Sequence, residues 1–401
     1  MSSPPDPLRI LAIVNLPWDS RLGAARVWIE LANEWKRAGH TVEKFCLPDA
    51  FPKPPASRAA SALRQVRFPQ QAASFIRQNG ARFDVIDCLI GVLPFAKSSL
   101  RFRGLVVARS VGLFRLYDRR LREAAKVWPA QPKGRWFGHL FHRFIEWRAR
   151  IDSEKSIRTC DLLNLPNEDE RRELATDPAL KVPAIVEPYG LSDEFLQAIA
   201  RAAAPAQIRL QAKKICFIGM WGPRKGSREW PRIMAAIWQR HPAAEFLFLG
   251  TMFEEAVVRA ELIAPNEQRI SCRPTFAEGE LPSLLSNCAI GIFPSHIEGF
   301  GLAILEQLAA GLPTIAYDVP GPRQILQTQK ERLLTRVGDV AAIASRASEI
   351  LSLPLAEYDR LSADCVAIAR RYRWAEIAEN TISHYREALY SLGQTTAGSG
   401  R

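Results

Sequence analysis

The sequence FPSHIEGFGLAILEQLAAGLPTIAYDVPGP, residues 293–322, contains the clearest structural signal in this chain. It begins at the end of a buried apolar run, Ala289–Phe293, which is typical of a strand. A glycine-rich turn, a helical pattern over Leu302–Ala310 and a second apolar run at Thr314–Tyr317 follow. A strand, a turn, a helix and a second strand in this order indicate a βαβ unit of a parallel sheet. The stretch therefore predicts an α/β fold with helices on both faces of the sheet.

The same alternation occurs in two regions of the 401-residue chain, which is long enough to form two hydrophobic cores. The first region opens with a strand pattern at Arg9–Asn15 and a helix pattern at Arg26–Ala38. The alternation starts afresh at Ile215–Gly219, after the alanine-rich and basic stretch Leu196–Lys214. Further strands are predicted at Thr41–Cys46, Asp84–Cys88, Gly104–Ala108, Leu162–Leu165, Ala184–Glu187, Glu245–Gly250 and Ile270–Arg273. The sequence thus predicts two doubly wound, Rossmann-like domains.

We place the N-terminal domain at residues 1–200 and the C-terminal domain at residues 201–375. The segment 339–392 is nearly all helical by pattern, and residues 376–392 are predicted to form a helix that packs back on the N-terminal domain. The polar residues 393–401 are predicted to be disordered.

Composition favours a folded, cytoplasmic protein. Hydrophobic residues make up 47% of the chain and charged residues 24%, which excludes a mostly disordered chain. No apolar run approaches the roughly 18 residues that a membrane-spanning helix needs. The segment Met1–Pro7 is polar and proline-rich, unlike a signal peptide. The seven cysteines form no C-x-x-C pair, which argues against a zinc site and a disulfide framework.

The turn after Phe293 suits an anionic ligand. Gly299 and Gly301 allow a ligand to approach the backbone closely. The amides of Phe300, Gly301 and Leu302 lie at a helix start, where the helix dipole favours a phosphate.

Two glutamates flank this turn. Glu306 lies four or five residues into the helix, about 6 to 7.5 Å along its axis, an offset that suits a ribose attached to the same diphosphate. Glu298, on the other side of the turn, would face a sugar. The alternative is a capped helix with two solvated glutamates, which is disfavoured because the turn lies between two buried strands.

A second loop follows the strand that ends at Gly219 and contains Arg224 and Lys225. A diphosphate needs charge neutralisation, which Arg supplies bidentately and Lys as a point charge. We predict Lys225 as the main phosphate ligand. The alternative is a pair of exposed surface cations.

Glu298 and Glu306, with seven residues between them, resemble the paired-glutamate signature of the retaining GT-B glycosyltransferases usually called family 4. Other segments that resemble the family follow in the expected order: RLGAARVWIELANEWKRAGHTVE, FDVIDC, CDLLNLPNEDE, VEPYGLSDEF, FIGMWGPRKG and a late Trp374. The resemblance implies two Rossmann-like domains facing a cleft, with a nucleotide-diphosphate sugar in the C-terminal domain and the acceptor mainly in the N-terminal one. It also implies retention of anomeric configuration with no metal and no cofactor, and the absence of an Asp-x-Asp motif agrees.

The resemblance assigns Glu306 to the ribose, Glu298 to the donor sugar hydroxyls and Lys225 to the diphosphate. It places Gly219 at the donor site and Gly23 in a first-domain loop near the sugar, although a plain helix-entry glycine explains Gly23 equally well.

The chain departs from the family pattern at two positions. Met220 stands where the family commonly has Arg, and Arg224 is a candidate replacement. Val111 stands where many members have His, which leaves Arg109 and Ser110 as acceptor-side candidates. Arg109 is equally compatible with a surface ion pair.

The net charge of +12 indicates an anionic partner. Basic and aromatic residues alternate from Phe114 to Arg150, a composition that suits an anionic membrane surface. The alternative is a helical insertion whose aromatic residues pack inward. No nucleic-acid-binding motif accompanies the charge, so no nucleic-acid partner is expected.

Together these features predict a retaining hexosyltransferase that uses a UDP- or GDP-sugar and a glycan, glycolipid or lipid-linked acceptor in cell-surface polysaccharide or glycolipid synthesis. A nucleotide-sugar hydrolase or epimerase would need an acid/base pair that the sequence does not reveal. A non-catalytic GT-B-like binding protein is the alternative from another class.

Overall fold

The structure is a computed structural model that describes residues 6–119, 136–264 and 267–398. Contacts between Cα atoms divide the chain into two compact units. The first unit comprises Met1–Phe114, Gln131–Pro188 and Trp374–Arg401, and the second comprises Arg115–Ala130 and Tyr189–Arg373. Each unit contains one six-stranded parallel sheet. The predicted fold class is therefore confirmed.

In the first unit the strand order is β2-β1-β3-β4-β5-β6. The strands are β1 (Arg9–Val14), β2 (Thr41–Cys46), β3 (Val85–Leu89), β4 (Leu105–Arg109), β5 (Leu162–Leu165) and β6 (Ala184–Val186). The central strands are apolar runs buried on both faces, as expected for a parallel sheet covered by helices.

The helices of the first unit cover this sheet. The longer ones are α1 (Gly23–Arg37), α2 (Arg58–Asn79), α3 (Trp136–Thr159) and α4 (Glu168–Ala175), with short helices at Leu47–Ala50 and Lys97–Leu100. Helix α1 buries a stripe that includes Trp28, Leu31 and Trp35. The indole of Trp35 donates a hydrogen bond to the Ala378 carbonyl at 3.3 Å. The C-terminal helix Trp374–Gly398 thus packs on α1.

In the second unit the strand order is β12-β11-β10-β7-β8-β9. The strands are β7 (Lys214–Ile218), β8 (Glu245–Leu249), β9 (Ile270–Arg273), β10 (Cys288–Phe293), β11 (Thr314–Tyr317) and β12 (Leu334–Thr335). Aromatic rings fill the core beside β7 and β8. The ring of Trp230 lies 5.7 Å from that of Phe217 and 4.9 Å from that of Phe248.

The helices of the second unit are α5 (Asp193–Ala202), α6 (Ala206–Ala212), α7 (Trp230–Arg240), α8 (Glu255–Glu261), α9 (Leu302–Ala309), α10 (Val340–Leu351) and α11 (Leu355–Ala369). Shorter helices lie at Leu281–Leu285, Pro320–Ile325 and Lys330–Leu333. We number the helix Trp374–Gly398 of the first unit α12.

Two predicted boundaries differ from the structure. Helices α5 and α6 belong to the second unit, so the division falls between Pro188 and Tyr189 rather than after residue 200. The buried Arg209 of α6 explains this, because its guanidinium donates to the Gly311 carbonyl at 2.8 Å and to the Ser362 hydroxyl at 2.8 Å. Helix α12 continues to Gly398, so the tail predicted as disordered from residue 393 is helical as far as the structure describes it.

Candidate functional site

The turn between β10 and α9 presents backbone amides at a helix start. Gly301 precedes α9 with φ +105°, a left-handed conformation that favours glycine. The Phe300 ring is buried between the rings of Tyr189 and Tyr372, at 5.3 and 5.7 Å. Within the described chain, no hydrogen bond engages the amides of Phe300, Gly301 and Leu302. The turn is therefore fixed by packing, and these three amides at the helix start have no partner of their own in the part of the chain that the structure describes.

The loop after β7 brings a lysine to this turn. The Lys225 ammonium forms an ion pair with the Glu298 carboxylate, and these side chains are only 14% and 15% exposed. The ammonium also lies 4.6 Å from the centre of the Phe293 ring. Burial lowers the pKa of Lys225, Glu298 opposes this effect, and the neighbouring Arg224 adds to it. The predicted phosphate ligand and the predicted sugar ligand thus lie in direct contact.

The other donor-site candidates lie in the loop after β7 or in α9. Arg224 precedes Lys225 and is partly exposed. No hydrogen bond or ion pair joins its guanidinium to another residue in the described ranges. Gly219 directly follows β7 with φ +154°. Glu306 lies in α9 and is buried, whereas Met220 is 52% exposed. The roles of these residues stay predictions.

Both acceptor-side candidates lie in the interior of the first unit, and their acceptor role stays a prediction. Arg109 is fully buried, with its guanidinium 2.7 Å from the Asp87 carboxylate and 2.9 Å from the Tyr385 hydroxyl. Ser110 is also buried, and its hydroxyl accepts a hydrogen bond from the Gly112 amide at 3.0 Å. Neither side chain is exposed to solvent. Gly23 is the exposed first residue of α1, and its role near the sugar stays a prediction.

The first unit contains a buried carboxyl group, Glu170, that the sequence did not predict. Glu170, in the first turn of α4, accepts a hydrogen bond from the Leu113 amide at 3.1 Å. Burial raises its pKa to about 7, although hydrogen bonds from Ser110, Leu113 and Asn167 oppose the shift. Glu170 therefore connects α4 to the loop after β4. A Glu three residues after a helix-capping Asn is ordinary at a helix start, so the sequence gave no signal of its burial.

Glu170→Gln is expected to raise stability more at pH 8 than at pH 5. The unfolded Glu170 ionises near pH 4.5, whereas the folded group holds its proton to about pH 7. The native state therefore binds more protons in this window, and stability falls as pH rises through it. The midpoints of urea unfolding at both pH values test this. Glu168→Gln is the control, since the Glu168 side chain is 46% exposed. The same difference in urea midpoint between Glu170→Gln and wild type at both pH values would contradict the expectation.

The described residues contain no group of three or more His, Cys, Asp or Glu side chains that could hold a metal ion. None of the helices in those ranges combines the length and the apolar character needed to cross a membrane.

The basic and aromatic stretch Phe114–Arg150 is only partly described. Residues 120–135 lie outside the described ranges. In α3, Phe144 is 48% exposed and Trp147 is 56% exposed, and their ring centres are 5.9 Å apart. Arg143 and Arg150 are exposed on the same helix. Inward packing is therefore not found for these two aromatic side chains.

A known family model matches the part of the chain that contains both loops. Residues 212–352 match the family model for glycosyl transferases group 1. The matched segment contains Lys225, Glu298 and Glu306, and it lies within the second unit.

Curated relatives match about half of the chain. The D-inositol 3-phosphate glycosyltransferase of Nocardia farcinica is 30% identical over 213 residues, which cover 50% of this chain and 46% of the relative. The GDP-mannose:cellobiosyl-diphosphopolyprenol alpha-mannosyltransferase of Xanthomonas campestris is 24% identical, over 45% of this chain and 48% of the relative. The chain thus spans about half the length of the curated relatives it matches.

Solved structures match almost the whole chain at low identity. Sucrose-phosphate synthase from Thermosynechococcus elongatus has a TM-score of 0.71 and 16% identity, with 96% of this chain and 100% of that chain covered. Anabaena HepE in complex with UDP-glucose has a TM-score of 0.64 and 16% identity, with 96% and 100% covered. At these identities the likeness shows the GT-B fold alone.

Proposed function

We propose that this chain is a retaining glycosyltransferase that moves a hexose from a nucleotide-diphosphate sugar to a glycan, glycolipid or lipid-linked acceptor. The observation that carries the proposal is the partly buried Lys225–Glu298 ion pair next to the turn at Phe300–Leu302, whose amides have no hydrogen-bond partner among the described residues. A cation and a helix start together match the charge of a diphosphate. The match of residues 212–352 to glycosyl transferases group 1 supports it.

Each donor-site residue has a role in this proposal. Lys225 and the turn amides bind the diphosphate, with Arg224 as a second cation. Glu306 binds the ribose hydroxyls. When the diphosphate binds Lys225, the ion pair between Lys225 and Glu298 breaks. The Glu298 carboxylate then binds the hydroxyls of the transferred sugar. Charge that develops on the leaving diphosphate is stabilised by Lys225, which is the chemical contribution of this loop to transfer. The proposed mechanism needs neither a metal nor a cofactor.

The names of similar proteins support a nucleotide-sugar donor. One relative is named for GDP-mannose, and one structural neighbour is described in complex with UDP-glucose. The first of these is also named for a diphosphopolyprenol acceptor, in line with a lipid-linked acceptor here. We propose a role in cell-surface polysaccharide or glycolipid synthesis on this basis.

Nucleotide binding that depends on Glu306 is the expected result of a thermal-shift screen. One of UDP, GDP and ADP is expected to raise the melting temperature of the wild-type protein. Glu306→Ala is expected to remove most of this shift, because the ribose loses its carboxylate partner. Glu331→Ala is the control, since this glutamate is 86% exposed. No shift with any nucleotide, or an unchanged shift in Glu306→Ala, would contradict the donor-site assignment.

We also propose that the protein attaches peripherally to the cytoplasmic face of a membrane through α3. Aromatic rings are favoured at the membrane interface, and arginines are attracted to anionic headgroups. The exposed pair Phe144 and Trp147, beside Arg143 and Arg150, has this composition.

Replacing both Phe144 and Trp147 with serine is expected to weaken binding to phosphatidylserine-containing vesicles at least about tenfold, because two exposed aromatic side chains are removed from the interface. Vesicle co-sedimentation measures the binding. Tyr390→Ser is the control, since Tyr390 is a 70% exposed aromatic residue elsewhere in the same unit. Equal binding by the wild type and the double variant would contradict attachment through α3.

A non-catalytic protein that binds a nucleotide sugar is the second candidate. The exposed Met220 favours it, since the resemblance leads us to expect a cation at this position. A donor that binds without any sugar transfer would support this candidate.

A further inference from the structure

Backbone and side-chain contacts join the loop that carries Lys225 (residues 219–229, the lysine loop) to the loop that carries Glu298 (residues 294–301, the glutamate loop). The amide of His296 donates to the Arg224 carbonyl at 2.9 Å. Gly226 has φ +81°, and a Cβ atom there would lie 2.4 Å from the Pro294 carbonyl oxygen. No larger residue therefore fits at Gly226 while the loops stay in this register.

A buried histidine and a buried glutamate make a side-chain link between the same loops. The His296 imidazole Nε2 lies 3.0 Å from the Glu229 carboxylate. Both side chains are nearly inaccessible to solvent. The His296 ring also packs edge-on against Tyr317 at 5.5 Å, and the Glu229 amide donates to the Gly226 carbonyl at 3.0 Å. Glu229 thus belongs to the lysine loop, and His296 belongs to the glutamate loop.

We propose that His296 and Glu229 are positioning residues that hold Lys225 in place for the donor diphosphate. This inference rests on the proposed function. Glu229 follows Lys225 by four residues and immediately precedes α7, so its anchoring fixes the C-terminal end of the lysine loop. His296 precedes Glu298 by two residues and fixes the other loop.

The physical reason is the burial of the Glu229 carboxylate. A buried carboxylate must keep a hydrogen-bonding or charged partner, because an uncompensated charge inside the protein is strongly unfavourable. Without His296, Glu229 would turn towards water or another donor and carry the lysine loop with it. Lys225 would then lose its alignment with the turn amides at Phe300–Leu302, although neither His296 nor Glu229 touches the donor.

This mechanism makes a selective prediction. Lys225 is proposed to bind the diphosphate and not the base or the ribose. Displacement of Lys225 therefore weakens binding of a nucleoside diphosphate more than binding of the matching monophosphate. A general loss of structure would weaken both ligands together.

The test is isothermal titration of wild type and His296→Leu with UDP, GDP and ADP and with UMP, GMP and AMP. For the nucleotide family that binds the wild type, the diphosphate is expected to bind about tenfold more weakly to His296→Leu, the lower end of the effect of losing an outer-shell partner at metal sites. The monophosphate is expected to bind within about twofold of wild type. His296→Gln is expected to recover most of the loss, because its amide nitrogen can donate to Glu229.

Two further variants keep the result interpretable. His241→Leu is the matched control, since His241 is also buried in the second unit but lies near the Ser348 carbonyl, at 3.1 Å. Glu229→Leu removes the side-chain partner of His296 from the other loop and decides the case if His296→Leu does not fold, with a diphosphate-selective loss again expected.

A loss that is equal for diphosphate and monophosphate, or equal in His241→Leu, would overturn the positioning role. So would unchanged diphosphate affinity in His296→Leu or, should that variant not fold, in Glu229→Leu. Failure of the wild type to bind any of the six nucleotides would overturn the proposed function itself, and the inference with it.

Discussion

Lys225→Ala is expected to lower kcat/KM for sugar transfer by about two to three orders of magnitude. Loss of one group that stabilises developing transition-state charge typically has an effect of this size. Lys225 is 14% exposed and pairs with the 15% exposed Glu298, so water screens its charge less than it screens a surface charge. The substitution also leaves the Glu298 carboxylate without this cation at the position proposed for the sugar.

Steady-state transfer rates for wild type, Lys225→Ala and Lys225→Arg measure this effect. Lys225→Arg is expected to recover little, because a planar guanidinium cannot replace a compact ammonium in this packed position beside Phe293. Lys214→Ala is the control, since Lys214 is the first residue of β7 and pairs with the half-exposed Glu245 at 3.1 Å. A loss in Lys225→Ala no larger than in Lys214→Ala would contradict the role of Lys225.

Arg109→Met is expected to destabilise the protein by about 3–5 kcal/mol, the typical result of removing one partner from a buried ion pair. The Arg109 guanidinium and the Asp87 carboxylate are both fully buried, and the two groups are 2.7 Å apart. The Tyr385 hydroxyl of α12 donates to Asp87 and accepts from Arg109 at 2.9 Å. Burial, followed by the charge of Asp87, raises the pKa of Tyr385. Loss of Arg109 therefore leaves a buried negative charge and loosens the helix that completes the first unit.

Urea unfolding followed by tryptophan fluorescence measures this change. The double variant Arg109→Met with Asp87→Asn is expected to recover a large part of the loss, because no uncompensated charge remains. Arg9→Met is the control, since Arg9 pairs with Asp84 at the surface and exposed pairs contribute little. Similar unfolding midpoints for Arg109→Met and Arg9→Met would contradict the structural role of Arg109.

The strands follow from the sequence because buried parallel strands are nearly continuous apolar runs. The buried strands Leu162–Leu165 and Thr314–Tyr317 have the bounds that the pattern predicts, and so do the edge strands Thr41–Cys46 and Ile270–Arg273, which are only partly buried. The two-residue strand Leu334–Thr335 is too short to give such a pattern. Domain limits are harder to predict, because the association of α6 with the second unit depends on contacts of Arg209 with residues about a hundred positions away.

The burial of Arg109 could not be predicted from the sequence for a related reason. An arginine at the end of an apolar run has the same sequence signature whether it is buried or exposed. The partner Tyr385 lies 276 residues from Arg109 in the sequence, so no local pattern reveals the contact.

The donor-side candidates are more predictable, because loops that follow parallel strands meet at one edge of the sheet. Lys225 and Glu298 each follow a predicted strand, and the structure brings them together across 73 residues of sequence. The link between His296 and Glu229 lies beyond sequence reasoning, because it depends on the register of the two loops.

Acceptor-dependent release of a nucleoside diphosphate from a nucleotide sugar tests the proposed transferase activity most directly. Purified protein is incubated with UDP- and GDP-hexoses and with polyprenyl-diphosphate-linked or oligosaccharide acceptors, and the product is analysed by NMR. We expect one donor class to release its diphosphate, the transferred sugar to keep the donor's anomeric configuration, and Lys225→Ala to be at least about a hundredfold slower. Nucleotide binding without acceptor-dependent release from any donor, or equal release by Lys225→Ala, would contradict the proposed activity.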